Sequence, residues 1–533
     1  MASDAIAPQP RRAERYRFVL YGFLAVVGCA LSLPLARHSF VEECPYDESA
    51  KFFAIDNGVE WSQGDKRACI DHPPLGRAIY ETVWRLSPPG RGLANSRIVS
   101  AIAYVLAVGM SLWILRPDPA LPSESPLLTA GANLTLACAW LSPSLLHHAC
   151  RADGEALVYF TGVSFLIALI SFVSRPSIWR LMVLSMAGAA LVWMTLHGMI
   201  IVLAAGVGAG ALLLAAPPQG CSIRKRIARA AMPVAALAAI AASALHPLYH
   251  FDVLLAHHLD HYWGLDLIPP GTLVPLSFLW EGSSAIIPLY WTWVYDAFHA
   301  VALVGVAYGI VAPRVGLRTR LLAVVVGCIV ALVVGLSLWF ESRWMVGQLL
   351  GIYYVFISLL IASALLSLRS AIVSVVAAFW AVSWIALPTV AFLSSDVKSG
   401  DAVVAEACRW INQRAPGADA IVFAGSRPYV MMQPFVAAQH HSRCSAYIRQ
   451  GAHPDNYSAL SLIDAERRLS DDKLHSLHPL RVVYVQIAAS QKVSFDLAPW
   501  NIVEMDSFPH PARAIDRIDV MMLSPRDEIR EHR

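Results

Sequence analysis

Charge is what this sequence has least of. Asp, Glu, Lys and Arg make up 15% of its 533 residues, where a soluble globular chain carries roughly 25%. Beside 57% hydrophobic residues and a mean hydropathy of +0.53, that deficit excludes disorder and a single soluble enzyme. Nine Cys in a chain this long do not make a small disulfide scaffold. There is no collagen-like or other internal repeat, and no low-complexity tract. The net charge of +3 gathers on no concentrated basic face, so no nucleic-acid partner is expected.

The deficit is also uneven. About 24% of residues are charged from Asp396 onward, against about 12% before it. The expected organisation is therefore a polytopic α-helical membrane domain over 1–395 and a soluble α/β domain over 396–533. Apolar runs near 20 residues mark spans. They fall near 18–36, 98–115, 127–145, 155–173, 181–197, 199–216, 230–246, 284–312, 321–339, 345–366 and 370–394, about eleven in all. The stretch 247–300 has room for a further pair or a re-entrant segment.

Every second gap between these runs is basic. Arg11, Arg12, Arg15 and Arg17 precede the first, and Arg116 follows the second. Arg175 and Arg180 follow the fourth, Arg224, Lys225, Arg226 and Arg229 the sixth, Arg314, Arg318 and Arg320 the eighth, and Arg369 the tenth. The positive-inside rule then places the N-terminus in the cytoplasm, and an odd span count places the C-terminal domain outside. Val26–Cys29 faintly resembles a lipoprotein cleavage site and Leu33–Ala36 a signal-peptidase site. The apolar run continuing past Cys29 favours a span.

An oxidising outer compartment permits two disulfides, Cys44 with Cys69 and Cys408 with Cys444. The first would join the segments that lead into Asp47 and His72. The other five Cys lie in or beside spans and read as inert thiols. In the tail, Asp401–Arg414 reads as an amphipathic helix, with strand-like runs at 420–423, 481–487, 501–504 and 518–523. No nucleotide-binding glycine fingerprint accompanies them.

Three patches on the outer side carry chemistry. Pro45-Tyr46-Asp47-Glu48 sets two carboxylates soon after the first span, where a general base can be poised at the bilayer surface. Taken alone, they read equally as solvated loop acids. His72-Pro73-Pro74-Leu75-Gly76-Arg77 uses two prolines to hold His72 and Arg77 at a loop-to-helix junction. Ser142-Pro143, His147-His148 and Arg151-Ala152-Asp153-Gly154-Glu155 put charges against the fourth span, where they must pair, face water or bind ligand.

Together these patches resemble the GT-C superfamily of glycosyltransferases that use polyprenyl-phosphate sugars. The Asp47-Glu48 pair is similar to their acidic signature. His72–Arg77 resembles the proline element of the protein O-mannosyltransferases and of the lipid A aminoarabinose transferases, with Arg77 standing where a lysine is usual. Ser-Pro followed by Arg151-x-Asp153 and Glu155 resembles the segment opening their fourth span. Arg97 sits where these proteins commonly carry an arginine, and Glu341-Ser342-Arg343 resembles a late basic loop. Thr195-Leu196-His197 stands where the family often has Thr-Lys. The layout covers roughly residues 15–395.

The resemblance implies an inverting glycosyltransferase that moves one sugar from a polyprenyl-phosphate donor to an extracytoplasmic lipid A, envelope-glycan or protein acceptor. Its setting would be a bacterial inner membrane, multi-pass, with the C-terminal domain periplasmic. Asp47 is the implied base and Glu48 positions the acceptor. His72, Arg151, His197 and Arg343 are implied to stabilise charge on the leaving phosphate, and Arg77, Arg97, Asp153 and Glu155 belong to the same substrate site. Membrane lipids are partners throughout. No cofactor is required. His257 and His261 are spaced to share a helix face and hold a divalent metal, but histidines also suit lipid-phosphate contact, and no metal is expected. Tyr290–Tyr295 reads as an interfacial aromatic belt, and Gly206–Gly210 as a site of close helix packing.

The alternatives are a transporter or lipid flippase, and a non-catalytic assembly protein working through its tail. A transporter favours mid-membrane charges on broken helices and internal repeats. Here the charges cluster at outer junctions.

Overall fold

A computed structural model of the chain describes residues 74–88, 91–115, 126–141, 145–146, 149, 151–152, 154–195, 197–215, 222–245, 290–312, 315–339, 351–368, 370–381, 400–415, 418–424, 445–449, 468–469, 481–487, 500–510 and 513–526. It divides into two compact units. One comprises Met1–Arg37, Arg97–Phe251 and His258–Ser395, and the other His38–Ser96, Asp252–His257 and Asp396–Arg533. The helices in chain order are α1 (Pro74–Leu86), α2 (Gly92–Ile114), α3 (Pro126–Trp140), α4 (Glu155–Ser174), α5 (Ile178–Met194) and α6 (His197–Ala215). They continue with α7 (Ile223–Leu245), α8 (Tyr290–Val311), α9 (Leu317–Trp339), α10 (Gly351–Leu368), α11 (Ala371–Ala381) and α12 (Gly400–Arg414).

Five helical stretches among the described residues are long and apolar enough to cross a membrane: Ala94–Ile114, Glu155–Ser174, His197–Ala215, Ile223–Ser243 and Gly351–Leu368. Twenty residues at ~1.5 Å each make α4 about 30 Å long, the thickness of a bilayer's hydrocarbon core. Ile372, Val376 and Phe379 of α11 and Val304 of α8 are largely exposed. Apolar side chains on an outward face are at home against lipid and not against water.

Small residues set the helix spacing. A Cβ on Gly208 would meet Val324 of α9 at 3.2 Å, and one on Gly210 would meet Val234 of α7 at 2.7 Å. The glycines between 206 and 210 thus let α6 approach both neighbours closely. Hydroxyls join α9 to α10: Thr319 Oγ1 lies 2.7 Å from Ser363 Oγ and 2.9 Å from Ser367 Oγ.

Several boundaries differ from the sequence expectation, among them the two that follow. The basic cluster expected to separate the sixth and seventh runs lies inside α7, whose first two turns carry Arg224, Lys225, Arg226 and Arg229. Cations are disfavoured at a helix N-terminus by the macrodipole; here Arg224, Lys225 and Arg229 are exposed, where solvent screens that penalty. The fifth run, expected to end at His197, ends instead at Met194. The expected first span lies outside the described residues.

In the second unit Pro74 opens α1, the position where a missing N–H and a fixed φ suit a helix. Tyr80 of this helix is buried. The tail folds as a six-stranded mixed sheet of order β3-β2-β1-β4-β6-β5. The strands are β1 (Ala420–Phe423), β2 (Ser445–Arg449), β3 (Arg468–Leu469), β4 (Val482–Ile487), β5 (Trp500–His510) and β6 (Arg513–Pro525). β1, β2, β3 and β4 pair in parallel, whereas β6 runs antiparallel to β4 and β5. Val422, Tyr484, Trp500 and Leu523 belong to one buried apolar cluster. Asp519, fully buried in β6, accepts hydrogen bonds from Ser507 of β5, from Gln486 Nε2 of β4 and from Arg517 Nε. A buried carboxylate so satisfied pins the register of three strands.

Candidate functional site

Of the ten residues singled out in the sequence, Asp47, Glu48, His72, Asp153 and Arg343 lie outside the described residues. Arg77 lies in α1 of the second unit and is half-buried. Arg97, Arg151, Glu155 and His197 all belong to the first unit, and the packing there places them toward one end of its helices.

Two contacts between α2 and α4 establish this. Tyr104 meets Tyr159 edge to face with centroids 6.4 Å apart. Six residues on in α2 and five on in α4, Ser164 Oγ lies 3.9 Å from the Met110 sulfur. The two helices therefore run parallel. Arg97, seven residues before Tyr104, is level with the turn between Arg151 and Glu155. That turn is sharp: Gly154 adopts φ 102° immediately before α4, a left-handed conformation that glycine takes without strain. Glu155 then opens the helix, where a carboxylate complements the macrodipole. Arg97 is only 4% exposed, so a guanidinium stands among apolar helices, a placement that demands partners.

His197 is brought to the same end by the α5–α6 connection. Thr195 is extended and its N–H still reaches Leu191 O at 3.1 Å, while Gly198 N–H turns back to Thr195 O at 2.9 Å. The turn is so tight that a Cβ on Gly198 would strike Leu191 O. His197 is 4% exposed, and its Nδ1 lies 3.0 Å from the Tyr353 hydroxyl, with the rings edge to face at 5.7 Å. One imidazole tautomer accepts from that hydroxyl and the other donates to it.

Against the start of α10 is an aromatic wall. Trp140 lies edge to face with Tyr104 at 5.2 Å and with Tyr159 at 6.2 Å, and the Tyr104 hydroxyl donates to Trp140 O. All three side chains are fully buried. Such pairs contribute about 0.5–1.5 kcal/mol each beyond their buried area and hold one rotamer set. Gly351, at the start of α10, lies against Tyr159: a Cβ there would be 2.8 Å from its Cε1. Gly351→Ala is expected to destabilise the bundle by about 1–3 kcal/mol. Tyr159→Leu should recover part of that loss when combined with it, since the two residues touch. Thermal unfolding of the purified single and double variants measures the coupling, and strict additivity would remove the contact from the account.

Sequence reasoning did not find Tyr353 or the aromatic wall. The Tyr353-Tyr354 pair at the head of an apolar run was the available signal, since tyrosine favours span ends. Cys138 of α3 and Cys328 of α9 are free thiols. Cys408 is buried, and Cys44, Cys69 and Cys444 lie outside the described residues. Among the described residues no three His, Cys, Asp or Glu side chains converge as a metal set; the histidine-rich 246–261 stretch is not among them. No protein-family model matches the chain, and no curated protein matches it.

Proposed function

We propose that this chain is an integral-membrane inverting glycosyltransferase of the GT-C kind, with about eleven spans. It moves a sugar from a polyprenyl-phosphate donor to an acceptor on the extracytoplasmic side. The observation that carries the reading is the collection of Arg97, Arg151, Glu155 and the His197–Tyr353 pair toward one end of an otherwise apolar helical unit. Guanidinium and imidazole groups at one level suit an anionic ligand, and a lipid phosphate reaches that level with its tail still in the bilayer.

In the reaction, the acceptor hydroxyl oxygen attacks the anomeric carbon from the face opposite the phosphate. The bond from that carbon to the phosphate oxygen breaks, and polyprenyl phosphate leaves with the electron pair. The hydroxyl proton passes to Asp47, with Glu48 holding the acceptor. Arg151, Arg343, His72 and His197 stabilise the charge that grows on the phosphate, and Tyr353 fixes the His197 ring. Arg77, Arg97, Asp153 and Glu155 shape the same site. One displacement inverts the anomeric centre without a covalent sugar–enzyme intermediate and without a cofactor.

Reconstituted protein supplied with synthetic polyprenyl-phosphate sugars is expected to release polyprenyl phosphate and to label an added acceptor. Movement of intact labelled lipid across the bilayer, with no sugar transferred, would replace the enzyme reading by a flippase. The orientation is checked separately. Reporter fusions at Ser395 and in the 216–222 connection should give opposite signals, and equal signals would overturn the assignment of the site to the outer face.

A further inference from the structure

The contact between His197 and Tyr353 fixes more than the orientation of a ring. Tyr353 is the third residue of α10 and is buried. Among the described residues its hydroxyl has one hydrogen-bond partner, His197 Nδ1 at 3.0 Å. A buried donor left without an acceptor is the costly omission, whereas a spare lone pair is tolerated. The hydroxyl therefore donates and Nδ1 accepts. An imidazole whose Nδ1 accepts is neutral and carries its one N–H on Nε2. The same accounting excludes the doubly protonated ring, since both of its nitrogens donate and the hydroxyl proton would be stranded.

Both partners are held by packing, so neither can withdraw from the other. α10 is pinned to α4 just before Tyr353: Gly351 lies against Tyr159, and Ile352 occupies the space that a Cβ on Gly162 would need. His197 is pinned by the turn at Gly198, where a Cβ would strike Leu191 O. His197 also opens α6, and a charged ring there would face the positive end of that helix's macrodipole. The two rings meet edge to face, a contact that phenylalanine at position 353 would keep. Only the hydroxyl chooses between the tautomers.

We propose that Tyr353 is a positioning residue that holds His197 as the neutral Nε2–H tautomer, making His197 a hydrogen-bond donor at the transfer site and not its base. Whatever meets Nε2 must accept a hydrogen bond from it, as a phosphoryl oxygen of a sugar phosphate does. With Nδ1 engaged and Nε2 protonated, His197 has no lone pair for the proton of the acceptor hydroxyl, which passes instead to a carboxylate. The use of this donor in sugar transfer rests on the glycosyltransferase reading; the tautomer itself does not.

The first test is nitrogen NMR of full-length protein labelled at histidine, in lipid bilayers and without substrate. The His197 signal is assigned as the one lost in His197→Gln. Wild type is expected to show a neutral ring whose protonated nitrogen couples to the Cδ2 proton, the mark of Nε2–H, and Tyr353→Phe a mixture of tautomers. A wild-type ring protonated on Nδ1, or on both nitrogens, would overturn the assignment. An unchanged Nε2–H ring in Tyr353→Phe, with only thermal stability altered, would reduce Tyr353 to packing. The second test is transfer from a synthetic polyprenyl-phosphate sugar. Tyr353→Phe should lower kcat about threefold to tenfold, the size of one neutral hydrogen bond. Donor KM should change little, because the contact strengthens as charge grows on the phosphate. His197→Gln keeps an N–H donor but cannot act as a base, and should retain at least about tenfold more transfer than His197→Leu. Equal losses of about 10²–10⁴-fold in both would make His197 the base and end the donor role. An Nε2–H ring in a wild-type protein that transfers no sugar would overturn the transferase reading and the donor's use in it, with the tautomer still standing.

Discussion

Asp47→Asn is expected to lower sugar transfer by about 10²–10⁴-fold while leaving carrier binding and thermal stability close to wild type. An alcohol is a poor nucleophile until its proton is taken, and a positioned carboxylate contributes about that factor as a general base. Asparagine keeps the shape of the side chain but cannot accept the proton. The contrast that makes the result interpretable is Arg343→Ala, expected to weaken carrier binding along with turnover, because a phosphate contact acts in both the ground state and the transition state. The measurement is transfer from a synthetic donor, with carrier affinity determined independently. Near-normal turnover in Asp47→Asn would pass the role to Glu48 or Asp153. Activity in all three acid variants would end the proposed mechanism.

Arg97→Met should have the largest effect on folding of any single change at the site. The side chain is nearly fully buried, and a guanidinium is held in an apolar bundle only by groups that satisfy it. Removing it strands those groups, a loss of about 3–5 kcal/mol for a buried ionic partner. Arg97→Lys restores charge without the planar fork and should recover stability only in part. Thermal unfolding in detergent distinguishes the outcomes. A stable Arg97→Met protein with normal transfer would remove Arg97 from both the structural and the substrate-binding account.

Much of the fold can be read along the chain because the deciding quantities are local. The runs that became α4, α6 and α10 are apolar all the way round, and the strand-like stretches that became β1, β4, β5 and β6 are dense in Val, Ile and Met. β2 and β3 escaped notice for a physical reason. Ser445–Arg449 and Arg468–Leu469 are short, and each becomes a strand because a parallel neighbour supplies its ladder, β1 for the first and β2 for the second. Parallel pairing joins segments distant in sequence and leaves no hairpin signal to read. The early end of the fifth run is similar: nothing in Thr195-Leu196-His197 announces a turn, and it closes only because Gly198 has no Cβ to strike the backbone of α5.

The sequence by itself determined that the chain carries helices long and apolar enough to cross a membrane, since the transfer free energy of a helix accumulates residue by residue and needs no partner. It also determined that charge collects at the ends of apolar runs, because mid-bilayer charge is expensive wherever it occurs. The tertiary structure decided which of those polar residues are level with one another. Tyr353 meets His197 across 156 positions of chain, and Arg97 is level with Arg151 and Glu155 only because α2 and α4 run parallel. Those proximities come from side-chain packing between distant helices, a non-local property that no window of the sequence contains.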